Sequence, residues 1–213
     1  MDGGRRNVVL TVVAGVLAVS GLTAVALAVT GQVQPSQPPA AAESAGPPST
    51  APADTSNALA PSAPLSISIP AIGVSSELQY LGLNPDNTLE VPAPGPLYDV
   101  ASWYKYSTPP GSVGAAVIIG HVDSLTGGPS VFFDLGALRP FDRILVHRAD
   151  GQTAIFQVDT VRSYSKRDFP EQLVYGATEH ASLRLITCGG PFDVVAGGYL
   201  ENIVVFASLV DSA

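Results

Sequence analysis

Charged residues, cysteine and histidine are scarce in this chain, and each shortage excludes a class of protein. Only 13% of the residues are charged and the net charge is −8, with the basic residues scattered, so we expect no nucleic-acid partner. One cysteine cannot form an intramolecular disulfide. That cysteine and three widely separated histidines lack the spacing of zinc ligands, and no nucleotide-binding glycine motif is present. We therefore predict no metal ligand and no cofactor, although a calcium site built from loop carboxylates stays open.

The longest apolar stretch lies close to the first residue. Residues 1–6 end in Arg5 and Arg6, and residues 7–30 are uncharged and consist mainly of Val, Leu and Ala. About 20 apolar residues span a bilayer, and the stretch is longer than the apolar part of an ordinary signal peptide. Because flanking arginines favour the cytoplasmic side, we predict a cytoplasmic N-terminus (1–6) and a transmembrane signal anchor (7–30). Cleavage after the stretch is the less favoured alternative. The prediction gives a single-pass protein of the cell membrane with an extracellular remainder.

The next segment, residues 31–64, has the composition of a linker. It is rich in Pro, Ala and Ser, and its only charged residues are Glu43 and Asp54. Such a segment buries too little apolar surface to offset its ordering entropy, and its prolines favour extended conformations. We predict a disordered stalk that lets the following domain reach a target away from the bilayer, with cell-wall polymer as one candidate.

Residues 65–213 suit a single domain with its own core. Helical patterning is limited to short stretches near 131–136 and 170–175, and Gly and Pro turns separate short apolar runs. These runs are predicted strands at 65–69, 88–91, 115–119, 144–147, 153–161, 183–187 and 203–207. Many short strands of this kind predict a mainly β fold, a closed or nearly closed barrel.

The single cysteine, Cys188, follows an apolar run and precedes Gly189 and Gly190. A lone cysteine is often a small buried hydrophobic residue. Here the glycine pair predicts that the strand ends directly after the thiol, which places the thiol for access. An unpaired thiol in an oxidising compartment is also a liability unless it is used. The position therefore favours a nucleophile.

A nucleophilic thiol needs a group that favours the thiolate or takes its proton, usually a histidine. His121 follows an apolar run and Gly120, so it also stands at a predicted strand end. His147 lies within a predicted strand, and His180 lies in a polar loop. His121 is the leading candidate, and the other two remain alternatives.

Six segments of this domain resemble the sortases, with the actinobacterial class F group as the nearest branch. They are GHVDS (120–124), VFF (131–133), KRDFP (166–170), VYG (174–176), LITCGGPFD (185–193) and YLENIVVFA (199–207). The resemblance covers nearly all of residues 65–213. Their order and spacing together are more specific than any one of them.

The resemblance implies a sortase-type eight-stranded β-barrel with short helices, preceded by one transmembrane helix, and a cysteine transpeptidase activity. The implied partners are exported proteins with a C-terminal Leu-Pro-x-Thr-Gly-like signal and an amine acceptor on peptidoglycan or on a pilin lysine. Cys188 would be the nucleophile that forms the thioacyl intermediate. His121 would donate and accept the proton.

The sequence departs from the sortase pattern downstream of the cysteine, where sortases carry an arginine that stabilises the oxyanion. No Arg or Lys follows Arg184 in this chain. Asn202, in the matching window, could donate a hydrogen bond through its amide. Of the other arginines, Arg184 is the most reachable, because strand alternation puts it on the same face as Cys188; a surface charge is its other interpretation.

Two further residues are weaker candidates for the site. Thr187 could position substrate through its hydroxyl, but Thr is also a common strand residue. Asp123 could orient the imidazole of His121, or it could cap the following turn.

Two other functions compete with a sortase. An L,D-transpeptidase is disfavoured, because its Ser-x-Gly-Cys-x-Arg type of motif is absent around Cys188. A catalytically weak extracellular β-barrel that binds wall peptides or exported proteins is supported only by the missing arginine.

Overall fold

The computed structural model describes residues 34–39 and 57–213. In this part of the chain, no helix is long and apolar enough to cross a membrane. The predicted anchor at residues 7–30 and most of the predicted stalk lie outside the described residues.

The domain is an eight-stranded closed β-barrel, as predicted, and it contains little helix. Around the barrel the strands follow the order β1-β2-β3-β4-β7-β8-β6-β5, and β5 pairs with β1 to close it. The strands are β1 (Pro64–Ile69), β2 (Val74–Leu81), β3 (Ala101–Tyr104), β4 (Gly114–Ile119), β5 (Arg143–Arg148), β6 (Thr153–Ser165), β7 (Ala181–Asp193) and β8 (Gly198–Ser212). The helical elements are α1 (Glu171–Tyr175) and 3₁₀ turns at Pro70–Ile72, Leu135–Ala137 and Lys166–Asp168.

Three of the sequence-predicted strand features differ from the structure. Residues 88–91, predicted as a strand, form only an isolated bridge between Leu83 and Leu89. Strands β2 and β3 were not predicted, because Ser76 interrupts the apolar alternation of Val74, Leu78 and Tyr80 in β2, and β3 is four residues long. Strand β7 does not end at Cys188: it continues to Asp193 through an irregularity between Gly189 and Phe192.

Side-chain alternation on β4, β7 and β8 produces apolar clusters on both faces of the sheet. One face fills the barrel interior with residues such as Ile118, Leu185 and Val205. The other face carries a smaller group, here called the outer cluster, on which the loop after β6 packs. Its buried members are Val117, Ile119, Val174, Ile186, Val204 and Phe206. Tyr164 and Phe169 pack against it, so the outer face of these strands is covered by residues of the β6–β7 connection.

The segment before β1 is attached to the barrel through the buried Arg148. This guanidinium donates to Pro110 O (3.1 Å), to Ala60 O and to Asp150 Oδ2 (2.8 Å). The backbone N–H of Leu59 also donates to Gly111 O at 2.8 Å. The folded contacts therefore begin before residue 65, the boundary that composition predicts.

A second part of the predicted stalk, residues 35–39, also lies on the domain and belongs to the same compact unit. Ser36 Oγ donates to Asp134 Oδ1 (2.7 Å), and Gly190 N donates to Gln37 Oε1 (3.1 Å). The contact with the Leu135–Ala137 turn is close, because a Cβ on Gly136 would lie 2.1 Å from Ser36 O. This proline segment, as it is called below, joins that turn to the glycine pair that follows Cys188.

Candidate active site

The parallel pairing of β4 with β7 brings His121 and Cys188 to the same place. Ile119 is opposite Ile186 in this register, and Gly120 N donates to Ile186 O at 3.1 Å. His121 lies two residues beyond Ile119, and Cys188 lies two residues beyond Ile186. Both have the parity of Ile119 and Ile186, so both side chains project on the face of the outer cluster. A thiol and an imidazole thus share one face at one end of the barrel.

The ring of His121 is held from two sides. It stacks on Tyr98 with ring centroids 3.9 Å apart and planes 10° apart. Its Nε2 lies 2.8 Å from Pro92 O. A carbonyl oxygen can only accept, so Nε2 carries the hydrogen and Nδ1 is the nitrogen that can exchange a proton with a bound molecule. The preceding Gly120 admits no side chain, because a Cβ there would lie 2.6 Å from Val131 Cγ1.

Cys188 is half-buried, and its neighbours come from both flanking strands and from the turn after β6. Asn202 of β8 is its cross-strand partner. Lys166 Nζ lies 3.4 Å from Cys188 Sγ. Burial raises the pKa of Tyr98 and of Tyr199. The nearby carboxylates and the negative charge of a Cys188 thiolate raise each pKa further. The site therefore has an accessible sulfur with a cation and an amide beside it.

The surroundings of Thr187 and Asp123 are defined by the structure, and their roles at the site stay predictions. Thr187 has the parity of Leu185, so its side chain is on the inner face, and its buried Oγ1 has no hydrogen-bond partner among the described residues. Asp123 Oδ2 accepts from Tyr199 OH at 2.7 Å. The His121 ring contacts Pro92 and Tyr98. Asp123 thus connects the loop after β4 to the start of β8.

The other two histidines lie away from the thiol. His147 on β5 has Nδ1 2.8 Å from Thr153 Oγ1. His180 precedes β7, and its carbonyl accepts from Gly114 N at the opposite end of β4. Of the three candidate histidines, only His121 is at the end of the strands where Cys188 lies.

Comparison with known proteins identifies the family to which this barrel belongs. The sequence model of the Sortase domain family matches residues 67–210. The chain belongs to the sortase family. Sortases are cysteine transpeptidases that act on exported proteins carrying sorting signals and on amine acceptors. No curated protein matches the chain in sequence.

Solved sortases share the fold at low sequence identity. Sortase A from Corynebacterium diphtheriae is 23% identical with a TM-score of 0.52, over 71% of this chain and 63% of that one. A lid mutant of that protein gives 22% and 0.51, over 68% and 69% of the two chains. Sortase C from Streptococcus pneumoniae gives 21% and 0.50, over 68% and 64%. The chain therefore spans about two thirds of the length of these sortases.

Arg184, the arginine considered as a replacement for the missing cation, makes its contacts away from the thiol. Arg184 is on the face of Cys188, as predicted, but it is only 4% exposed. Its guanidinium lies 4.7 Å from the centroid of the Phe206 ring and donates to Leu183 O. Burial lowers the pKa of Arg184 to about 10, although Asp159 opposes the shift. Arg184 therefore fits neither of the two interpretations considered above, an exposed surface charge or a group beside the thiol.

Two residues at this site were missed from the sequence. Tyr98 lies in the loop before β3, where nothing in the pattern relates it to His121. Lys166 lies in KRDFP, a segment noted for its resemblance, but only arginines were considered as replacements for the missing cation. Its place at the start of the turn after a long strand was the available signal.

Among residues 34–39 and 57–213, no group of three or more His, Cys, Asp or Glu side chains is arranged to hold a metal ion.

Proposed function

We propose that this sortase cleaves a C-terminal sorting signal of exported proteins, of the Leu-Pro-x-Thr-Gly type, and transfers the acyl part to an amine of the cell wall. The observation that carries the proposal is the register of β4 and β7, which puts His121 and the half-buried Cys188 on one face at one end of paired strands. Family membership supports the enzyme over a binding module.

In the first step the Cys188 thiolate attacks the carbonyl carbon of the scissile peptide bond. A C–S bond forms, and the carbonyl electron pair moves to oxygen. When the oxyanion collapses, the C–N bond breaks, and His121 gives a proton to the leaving amine. The product is a thioacyl enzyme, which keeps the acyl group activated for transfer.

In the second step an incoming amine attacks the thioacyl carbon. His121 takes a proton from this amine, the new C–N bond forms, and the C–S bond breaks to return the thiolate. Water in place of the amine would give hydrolysis. The ring geometry supports Nδ1 as the nitrogen that exchanges the proton, because Nε2 is directed to Pro92 O. Asn202, opposite Cys188, is a hydrogen-bond donor for the oxyanion.

We further propose that the protein is a class F sortase anchored in the cell membrane as a single-pass protein, with its catalytic domain outside. The subtype is supported by the segments at 120–124, 166–170 and 185–193, and the anchor by the uncharged residues 7–30 after Arg5 and Arg6. The acceptor is an amine of peptidoglycan or of another wall polymer.

The test uses the full chain with a Leu-Pro-x-Thr-Gly-type peptide and a glycine-based amine. We expect mass spectrometry to detect the cleaved, amine-linked product and a peptide adduct on Cys188. Cys188→Ala should abolish both, and His121→Ala should remove the product. His147→Ala is the matched control and should leave turnover unchanged, since His147 pairs with Thr153 on another part of the barrel.

A parent protein that gives neither product nor acyl adduct, over a panel of signal peptides and amines, would contradict the proposal. A product that persists in Cys188→Ala would contradict the assignment of the nucleophile.

A further inference from the structure

Acyl transfer at Cys188 places negative charge first on sulfur and then on the carbonyl oxygen of the substrate. The strand position opposite the thiol is filled by Asn202, which has no charge. The chain has no basic residue after Arg184. A cation for this charge must therefore come from an element other than β8.

The two arginines on neighbouring strand positions, Arg184 and Arg162, lie further along the sheet from the thiol. Arg184 lies four residues before Cys188, roughly 13 Å along an extended strand, and it packs on Phe206. Arg162 of β6 is opposite Val204, two residues beyond Asn202 on β8 and a further strand away from Cys188.

Lys166 is the basic residue whose head group contacts the sulfur, with Nζ 3.4 Å from Sγ. Its backbone position is fixed by the end of β6, where Tyr164 pairs with Asn202. There Ser165 caps the Lys166–Asp168 turn by accepting from Arg167 N at 3.2 Å. Phe169, the next residue, holds this turn on the outer cluster. Its ring packs edge-on against Tyr164 with centroids 6.1 Å apart.

Among the described residues, the ammonium of Lys166 takes part in no salt bridge. Among the described residues, the ion pair that the structure contains is Arg148–Asp150, away from the site. The other titratable groups near the thiol are His121 and Tyr98 on the β4 side, and Tyr199, bonded to Asp123, on the β8 side. Glu201 of β8 is opposite Gly189, and its carboxylate accepts from Ser163 Oγ. Tyrosine hydroxyls are neutral near pH 7, and the Glu201 carboxylate is bonded to Ser163, so Lys166 is the basic group in contact with the sulfur.

We propose that Lys166 is the catalytic cation of this site and takes the place of the arginine that the chain lacks, a role that rests on the proposed function. Its ammonium pairs with the Cys188 thiolate and then donates to the carbonyl oxygen as the charge moves there. No bond to Lys166 forms or breaks, and its proton stays on nitrogen. A lysine supplies a compact charge with three donors, so it can follow the charge from sulfur to oxygen without a fixed planar geometry.

The experiment compares Lys166→Met and Lys166→Arg with the parent full-length protein. Arg167→Met is the matched control, because it removes the same charge one residue away in the same turn. Two quantities are measured: the rate of Cys188 alkylation by iodoacetamide between pH 5 and 9, and kcat and KM with the signal peptide. The thermal midpoint of each variant establishes that it folds.

We expect Lys166→Met to shift the alkylation profile to higher pH and to slow alkylation at pH 6 about tenfold, because the thiolate loses its cation. We expect kcat to fall about 10²- to 10³-fold, the usual effect of losing one oxyanion donor, with little change in KM. Lys166→Arg should recover most of both, and Arg167→Met should match the parent. Equal alkylation profiles for Lys166→Met and the parent, or an equal loss in Arg167→Met, would overturn the role.

Alkylation needs no peptide, so this inference and the proposed function can fail separately. If the parent turns over no peptide but Lys166→Met lowers the reactivity of the thiol, the proposed substrate is refuted and the role of Lys166 as the cation stands. A parent that turns over peptide while Lys166→Met matches it in both measurements would refute the cation alone. If Lys166→Met does not fold, the comparison of Lys166→Arg and Lys166→Gln replaces it, and equal profiles for these two would overturn the role.

Discussion

The ring of His121 lies flat on the ring of Tyr98, with centroids 3.9 Å apart. The stack and the Pro92 carbonyl together fix the orientation of the imidazole. Tyr98→Ala should free the ring to rotate and lower kcat about tenfold, because misplaced proton-transfer groups are inefficient. Tyr98→Phe preserves the stacked ring and should stay near the parent. Steady-state kinetics with the signal peptide check both, and an equal loss in the two variants would show that the hydroxyl, not the stack, is what matters.

One added methyl group can disrupt the contact between the proline segment and the barrel. Gly136→Ala places a Cβ 2.1 Å from Ser36 O, so residues 35–39 should leave the barrel. The amide of Gly190 then loses Gln37 as its acceptor. We expect faster hydrogen exchange at Gly190 and faster alkylation of Cys188, measured by mass spectrometry.

Ala137→Ser, an exposed change in the same turn, is the control for Gly136→Ala. Unchanged exchange at Gly190 in Gly136→Ala would show that the segment does not protect that amide.

Arg148 should contribute strongly to stability, because it is buried and satisfies two backbone carbonyls and Asp150. Arg148→Met leaves these acceptors without their donor and should lower the free energy of unfolding by about 2–4 kcal/mol. Arg143→Met removes an exposed arginine from the same strand and should cost less than about 0.5 kcal/mol. Urea unfolding at pH 7 measures both, and similar losses would argue against the buried network.

Asp159 should make the stability depend on pH. Burial raises the pKa of Asp159, and the Ser208 hydroxyl and Arg184 oppose this only in part. The folded state therefore binds the proton more tightly than the unfolded state, so stability falls as pH rises from the ordinary value of 3.8 through the folded pKa. Asp159→Asn lacks this loss.

The stability difference, Asp159→Asn minus parent, should therefore increase over that window and become constant above it. Urea unfolding at a series of pH values gives this difference. A difference that does not vary with pH would rule out the raised pKa.

The barrel could be predicted from the sequence because its signals are local, and the roles predicted for Cys188 and His121 rest on local signals of the same kind. Cys188 and His121 each follow a continuous apolar run of a buried strand, and the resemblance of 120–124 and 185–193 relates them. Strand β2 was missed because Ser76 interrupts the apolar alternation of Val74, Leu78 and Tyr80. The 88–91 run was misread because Leu89 packs on the outer cluster from a loop, with only an isolated bridge to Leu83.

Lys166 could not be assigned by spacing. Its contact with Cys188 joins residues 22 positions apart. Lys166 is in the turn after β6 and Cys188 is on β7, and β8 lies between these two strands in the barrel. The reach of a flexible side chain across a neighbouring strand has no sequence period. Arg184 illustrates the reverse case, because its parity correctly predicted the shared face while its cation–π contact with Phe206 depends on packing.

The outer cluster has a consequence for how this sortase should respond to heat. Cys188 and His121 lie on the outer face. The short connection that carries Lys166 covers this face by packing Val174 on five buried side chains of the strands, whereas the larger inner core holds the barrel closed. Transient detachment of residues 166–176 would remove Lys166 from the thiol while every strand pairing persists. Thermal inactivation should therefore begin below the temperature at which the barrel melts, and it should reverse on cooling.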